Sequence, residues 1–407
     1  MRMAIPPSSL AEQFNKLDAV LAARQELWRA QPFIQRKLIW EDDYPELAHW
    51  LRQRSLADAE RDHLHPELLT APAPFGQWIN ELTGLATLQS FPAVVDKTVP
   101  TQMHQGIPGR KWQQIEALAQ CLSFSQPPQH WLDWCAGKGY LGRYLAYPTA
   151  RLSIVEQDET LCAEAQRLNE LHSITGSLHP CDALSAAAKP ALAQTDSWVA
   201  LHACGDLHTH LLRQVQQHNV QRIVVAPCCY NRINSEHYQP LSSIGQAAQL
   251  QLTRTDLALP LQSTVTAGAR DKRLRDQAMA WRLAFDELQR VWRGVDKYLP
   301  VHSVASRWMQ QDFADWCAQV AQLKGLTVPN AVAWTKAEQR GWQLLAQVRN
   351  LELVQCLYRR PLELWLLLDL ALYLQEQGFS VKLGKFCVPE LTPRNGLIIA
   401  ERGGQSN

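Results

Sequence analysis

Long apolar runs are missing from this sequence. No stretch reaches the roughly 18 consecutive apolar residues of a membrane-spanning helix. The richest, Pro361 to Leu374, is interrupted by Glu363 and Asp369 and reads as a buried helix. The N-terminus lacks the apolar core of a secretion signal, since Arg2 is followed by Pro6-Pro7-Ser8-Ser9. Excess charge of one sign is also lacking. Lys and Arg number 40 against 39 Asp and Glu, a net charge of +1, so neither a membrane nor DNA is expected as a partner. Paired C-x-x-C ligands are absent, and no three cysteines are spaced to hold an iron–sulfur cluster. The 10 cysteines are spread through a long chain without a secretion signal, which points to reduced thiols and a cytoplasmic location.

What is present is a chain of 407 residues, 46% hydrophobic and 19% charged, long enough for more than one folding unit. Residues 1–105 read as an N-terminal helical cap, with Leu17, Val20, Leu21 and then Leu47, Trp50, Leu51 at helix spacing. After Pro127-Pro128, short apolar runs alternate with amphipathic segments, the signature of a parallel α/β sheet. The predicted strands are His130–Trp134, Arg151–Val155, Ser177–His179, Ser197–His202 and Arg222–Ala226, with helices between them such as Glu159–Leu171. This core spans 106–232. A helical insertion, 233–358, follows, and 359–407 completes the core. There a helix over Pro361–Gln377 ends at Gly378, and strands Ser380–Val388 and Gly396–Glu401 form a hairpin. This order matches the Rossmann-like α/β sheet of class I methyltransferases, with the insertion as the substrate-facing module.

In such a sheet the ligand sits beyond the C-terminal end of the first strand, where strand order reverses. Asp133 ends that strand, and Cys135-Ala136-Gly137-Lys138-Gly139 is the turn after it. Gly137 and Gly139 let the backbone approach a ligand, and the helix opening at Tyr140 aims its amides at a carboxylate. Glu156, ending the second strand, is placed to bind both ribose hydroxyls of an adenosine, and Asp182 to accept from the adenine amino group. Gly137, Gly139 and Gly142 also satisfy G-x-G-x-x-G, so the turn alone does not exclude a nicotinamide dinucleotide. The C-terminal hairpin favours S-adenosylmethionine (SAM).

Three further motifs carry a resemblance. Asp133-x-Cys-Ala-Gly-Lys-Gly-Tyr-Leu-Gly, Ala200-Leu201-His202-Ala203-Cys204-Gly205-Asp206-Leu207 and Pro227-Cys228-Cys229-Tyr230 resemble the methyltransferase domain of several related groups. These are the methyltransferase-like twenty-five proteins, the glutathione S-transferase C-terminal-domain-containing protein and, more distantly, eukaryotic tRNA ribose 2'-O-methyltransferases. Arg110-Lys111-x-Gln113-Gln114-Ile115-Glu116 is similar to the helix that precedes the domain, and Leu391-Thr392-Pro393-Arg394-Asn395 to its hairpin. The resemblance implies SAM as donor. It adds Lys111, Gln114, Gln157, Ala183 and His202 to Asp133, Cys135, Ala136, Gly137, Lys138, Gly139, Tyr140, Glu156 and Asp182 at the donor site.

On the acceptor side, His202 and Asp206 follow the fourth strand, and Cys228, Cys229 and Tyr230 the fifth. His202 suits a general base because its ordinary pKa lies near neutral; a structural ring hydrogen-bonded to backbone or donor fits as well. Asp206 is the second base candidate and equally a helix cap. Tyr230 is placed to stack on or hydrogen-bond the acceptor, or to line the pocket. Cys135, Cys204 and Cys228 end three neighbouring strands. Without a zinc spacing they read as packing residues beside the cofactor, with no metal expected.

The expected activity is methyl transfer to a macromolecule, RNA or protein. A SAM-binding adaptor without turnover and an NAD(P)-dependent oxidoreductase are the alternatives. For RNA, the Arg270, Lys272, Arg273, Arg275 run and exposed members of the 15 tryptophans would be the contact groups.

Overall fold

The computed structural model describes residues 9–94, 97–262, 269–301 and 306–403; Pro6-Pro7-Ser8 lies outside them. Two compact units emerge. One comprises residues 1–23, 85–263 and 359–407, the other 24–84 and 264–358. Most of the segment read as a cap thus falls with most of the segment read as an insertion, while 233–263 falls with the sheet.

The first unit is built on a seven-stranded sheet of β1 (His130–Trp134), β2 (Arg151–Glu156), β3 (Gly176–Pro180), β4 (Ser197–Leu201), β5 (Arg222–Ala226), β6 (Phe379–Lys385) and β7 (Gly396–Arg402). Their order is β3-β2-β1-β4-β5-β7-β6. The first five are parallel, and β7 runs antiparallel to both β5 and β6. This is the Rossmann-like sheet of class I methyltransferases. An all-parallel dinucleotide fold would place another parallel strand where β7 lies. Leu152, Ile154, Val199 and Val224 are buried in one core, each contributing about 1.5–3 kcal/mol of apolar burial. Register sets Asp133 level with Ile154 of β2 and Val199 of β4, so its carboxylate belongs to the central strand.

Six helices of this unit matter for the site: α1 (Leu10–Ala23), α2 (Gly109–Gln120), α3 (Tyr140–Ala146), α4 (Glu159–Leu171), α5 (Asp206–Arg213) and α6 (Arg359–Glu376). α6 is buried from Pro361 to Leu374, and its Asp369 explains how a carboxylate survives there. Asp369 accepts from the Tyr238 hydroxyl at 2.7 Å, the Leu241 amide at 2.9 Å, and the Ser242 amide and hydroxyl at 2.9 and 2.7 Å. Burial pushes its pKa up, and the four donors oppose that shift. The same acid ties 238–242 to the sheet unit, which is why this segment does not behave as part of an insertion. Asp18 of α1 does likewise, accepting from the amides of Gln249 and Leu250 and the Trp365 indole. β6 stops at Lys385, short of the predicted Val388, because the chain bends into the Pro389 turn.

The second unit is helical. Ala269–Arg293, Phe313–Leu323 and Trp334–Cys356 surround an aromatic core in which Trp281 and Trp316 have centroids 5.7 Å apart and Phe313 stacks on Trp316. Asn350 is fully buried and donates to the carbonyls of Arg54 and Ser55, fixing the start of helix Leu56–Asp62. None of the 15 tryptophans of the chain is an exposed side chain, which corrects the expectation of exposed indoles. They fill cores, because an indole buries more apolar surface than any other side chain.

Candidate functional site

The turn after β1 runs through alternating left-handed residues. Cys135, Gly137 and Gly139 have φ of 57°, 57° and 67°. Left-handed backbone is inexpensive for the glycines but costs an L residue roughly 1–2 kcal/mol, so Cys135 is a strained position at the end of the central strand. A Cβ on Gly139 would lie 2.4 Å from Ile154 Cδ1, whereas space in front of Gly137 is open. Glu156 closes the turn from β2. One carboxylate oxygen accepts the Gly137 amide at 2.8 Å, and the other accepts the amides of Gln157 and Asp158 at 2.9 and 3.1 Å. Gln157 itself is exposed.

Asp133 is buried and accepts the Gly142 amide at 2.8 Å. Burial raises its pKa to about 6, against that hydrogen bond and the charges of Lys111 and Arg143. Lys111 lies 5.1 Å from the centre of the Tyr140 ring, joining α2 to the opening of α3. Ala136 and Lys138 are half-buried within the turn. Arg143 was not anticipated from sequence. It is buried, its pKa lowered to about 10 by desolvation, and it donates to the Lys138 carbonyl at 2.7 Å and to Asn169 of α4 at 2.6 Å. An arginine on the otherwise apolar face of a seven-residue helix was the only sequence signal for this brace. At the end of β3, Asp182 is exposed and accepts the Leu184 amide at 2.9 Å, with Ala183 buried beside it.

His202 follows β4, which stops at Leu201, one residue short of the predicted end; it has φ of 67°, and its amide donates to the Ala226 carbonyl. Its Nε2 lies 3.0 Å from Gln114 Oε1, while Gln114 Nε2 donates to the Leu391 carbonyl at 3.1 Å. With the amide so oriented, His202 Nε2 carries the hydrogen and Nδ1 the lone pair. Burial first, then Arg394 and Lys111, push the imidazole down to about 4. It is therefore neutral near pH 7 and a weak base, which favours the structural over the general-base reading. Arg110 donates to the carbonyls of Leu391 and Glu390, so α2 clamps the Leu391–Asn395 segment at two points.

Asp206 opens α5 and accepts the Asn234 amide at 2.7 Å, holding the loop after β5. Gly205 before it has φ of 54°, and a Cβ there would stand 1.8 Å from the Arg232 carbonyl oxygen. Tyr230 is fully buried with an unpartnered hydroxyl, its pKa raised well above the ordinary value by burial and by Glu363. It does not present a face for stacking, which corrects that reading. The thiol cluster is also different from the expected one: Cys204, Cys228 and Cys229 have their sulfurs within 4.8 Å of one another. Cys135 is not among them, and burial first holds its thiol up at about 12.

A family model described as a methyltransferase domain matches residues 110–236. This matched stretch, under a third of the chain, is similar to methyltransferase domains. It contains every site residue named above from Arg110 to Asn234. A glutathione S-transferase C-terminal domain-containing protein homolog of Drosophila pseudoobscura pseudoobscura is 30% identical over 128 residues, which cover 30% of this chain and 21% of that relative. The chain is also similar to two solved structures. One is the Pyrococcus abyssi tRNA (uracil-54, C5)-methyltransferase in complex with S-adenosyl-L-homocysteine (TM-score 0.23, 17% identity, 28% of either chain covered). The other is the magnesium protoporphyrin IX methyltransferase of Synechocystis PCC 6803 (TM-score 0.31, 11% identity, 76% of this chain and 91% of that chain covered).

Proposed function

We propose that this chain is a SAM-dependent methyltransferase acting on a macromolecule, RNA or protein. The observation that carries the reading is the Glu156 carboxylate, held against the Gly137 amide at the reversal point of a methyltransferase sheet. Glu156 is assigned to the ribose hydroxyls, with Gln157 beside it. Asp182 accepts from the adenine amino group over the apolar Ala183. The residues fit the donor, because the space in front of Gly137, whose amide Glu156 accepts, is open. Lys111, Gln114, Tyr140 and the backbone of Cys135, Ala136, Gly137, Lys138 and Gly139 are assigned to its amino-acid end.

When bound, SAM supplies an electrophilic methyl group on a sulfonium. The chain's own contribution is orientation, the main term for an in-line displacement. Gln114 orients the His202 ring and leaves its Nδ1 lone pair as an acceptor. Asp206 fixes the loop carrying Cys228, Cys229 and Tyr230 through the Asn234 amide, a positioning role.

Exposed Arg270, Arg273 and Arg275 support RNA as the acceptor; Lys272 of the same run is paired with Glu60 at 2.8 Å. A cytoplasmic setting is supported by all ten cysteines being free. No helix among the described residues is long and apolar enough to cross a membrane.

The test is transfer from tritiated SAM in an extract of cells lacking the protein, with the purified chain added. Label in RNA, lost with rising salt and on replacing the three arginines by alanine, is expected. Label confined to polypeptide makes a protein the acceptor. No label in any fraction, with donor binding intact, means an adaptor and overturns the enzymatic reading.

A further inference from the structure

Two strand ends bring three thiols together. Cys204 follows β4, and Cys228 and Cys229 follow β5 after Pro227. The Cys204 and Cys228 sulfurs are 3.3 Å apart, and those of Cys228 and Cys229 are 3.7 Å apart. Adjacent cysteines ordinarily diverge along an extended chain. Here the backbone turns at that point: the Tyr230 amide donates to the Cys228 carbonyl at 2.9 Å, and the Arg232 amide to the Cys229 carbonyl at 3.1 Å. The turn holds both sulfurs on one side, and Gly205 brings the β4 end against the same loop through its contact with Arg232.

Tetrahedral Zn²⁺ with thiolate bonds of about 2.3 Å requires sulfurs roughly 3.8 Å apart. The Cys228–Cys229 separation of 3.7 Å is close to that edge length, and all three sulfurs lie within 4.8 Å of one another.

We propose that Cys204, Cys228 and Cys229 form a three-thiolate site for Zn²⁺, with the fourth coordination position open to water or to an incoming sulfur or nitrogen ligand. Among the described residues, the ligand cluster comprises these three side chains alone. Structural zinc sites are closed by four protein ligands, whereas three ligands and an open position mark a site that exchanges its fourth partner. Binding replaces each remaining S–H bond by an S–Zn bond and releases that proton to solvent. The site stands independently of SAM binding.

The full chain, reduced and stripped of metal, is titrated with Co²⁺ and then Zn²⁺. One tightly held equivalent is expected, with thiolate-to-cobalt charge-transfer absorption that Zn²⁺ abolishes. Cys204→Ser and Cys229→Ser are expected to weaken binding by at least the ~10–100-fold that loss of an outer-shell partner costs. Cys387→Ser, outside the trio, is expected to leave it unchanged. A wild-type chain without the cobalt signal, or a signal that persists in Cys229→Ser, overturns the site. Alkylation mass spectrometry on the wild type guards against a variant that fails to fold. Stoichiometric Zn²⁺ is expected to protect Cys204, Cys228 and Cys229 selectively, and unprotected thiols contradict the proposal. Calorimetry with S-adenosylhomocysteine on the same samples reads the donor site separately.

Discussion

Replacing His202 with glutamine isolates a single titration. The half-buried imidazole is pushed down to about 4, by burial first and then by Arg394 and Lys111. In an unfolded chain it titrates near 6.5. The folded protein binds this proton more weakly than the unfolded one, so His202 contributes stability above about pH 6.5 that is lost as pH falls toward 4. The distance from about 4 to 6.5, at 1.36 kcal/mol per unit of pH, amounts to about 3 kcal/mol. His208, also pushed down to about 4 by burial, adds a loss in the same window. Asp133 acts oppositely: raised to about 6, it contributes stability at low pH that disappears as pH rises through that value. Both groups are common to the wild type and His202→Gln, so they cancel in the difference between the two proteins. Urea unfolding of both between about pH 8 and pH 4 is expected to show the wild-type advantage shrinking by about 3 kcal/mol. A difference that stays flat, or an NMR titration placing His202 near 6.5, refutes the buried neutral imidazole.

Gly205→Ala forces a Cβ into the Arg232 carbonyl at a positive φ and is expected to cost at least ~3 kcal/mol, read as a lowered unfolding midpoint; an unchanged midpoint contradicts the close approach. Asp369→Ala strands four buried donors, and a loss of about 3–5 kcal/mol in urea unfolding is expected, whereas a loss under about 1 kcal/mol means the network is dispensable. Cys135→Gly relieves a left-handed L residue and is expected to raise stability by up to about 1 kcal/mol, read as a raised urea midpoint. Marked destabilisation would show that the thiol packs usefully in that turn.

Most of the parallel strands were legible as short apolar runs between amphipathic segments, and β1, β5 and α4 have the expected limits. The Gly378 cap was legible for a related reason, since its φ of 83° is one that few other residues adopt. Asp369 was visible only as an interruption of an apolar helix; its four donors lie more than 100 residues away and leave no periodic trace. The joining of 24–84 with 264–358 in one unit is equally nonlocal. At the site, acids and glycines could be read because their chemistry is tied to strand ends. Arg143 could not, because its partners are a backbone carbonyl and an asparagine on another helix. The thiol trio was misassigned because strand-end adjacency does not reveal that the chain turns at Cys228 and directs Cys229 inward.

Titration calorimetry of S-adenosylhomocysteine against the wild type and Glu156→Ala tests the central claim most directly. One equivalent bound by the wild type, and an affinity lower by roughly 100-fold in the variant for two lost charge-assisted hydrogen bonds, is the expected result. Equal affinity in the two proteins, or binding of NAD in place of S-adenosylhomocysteine, would contradict it.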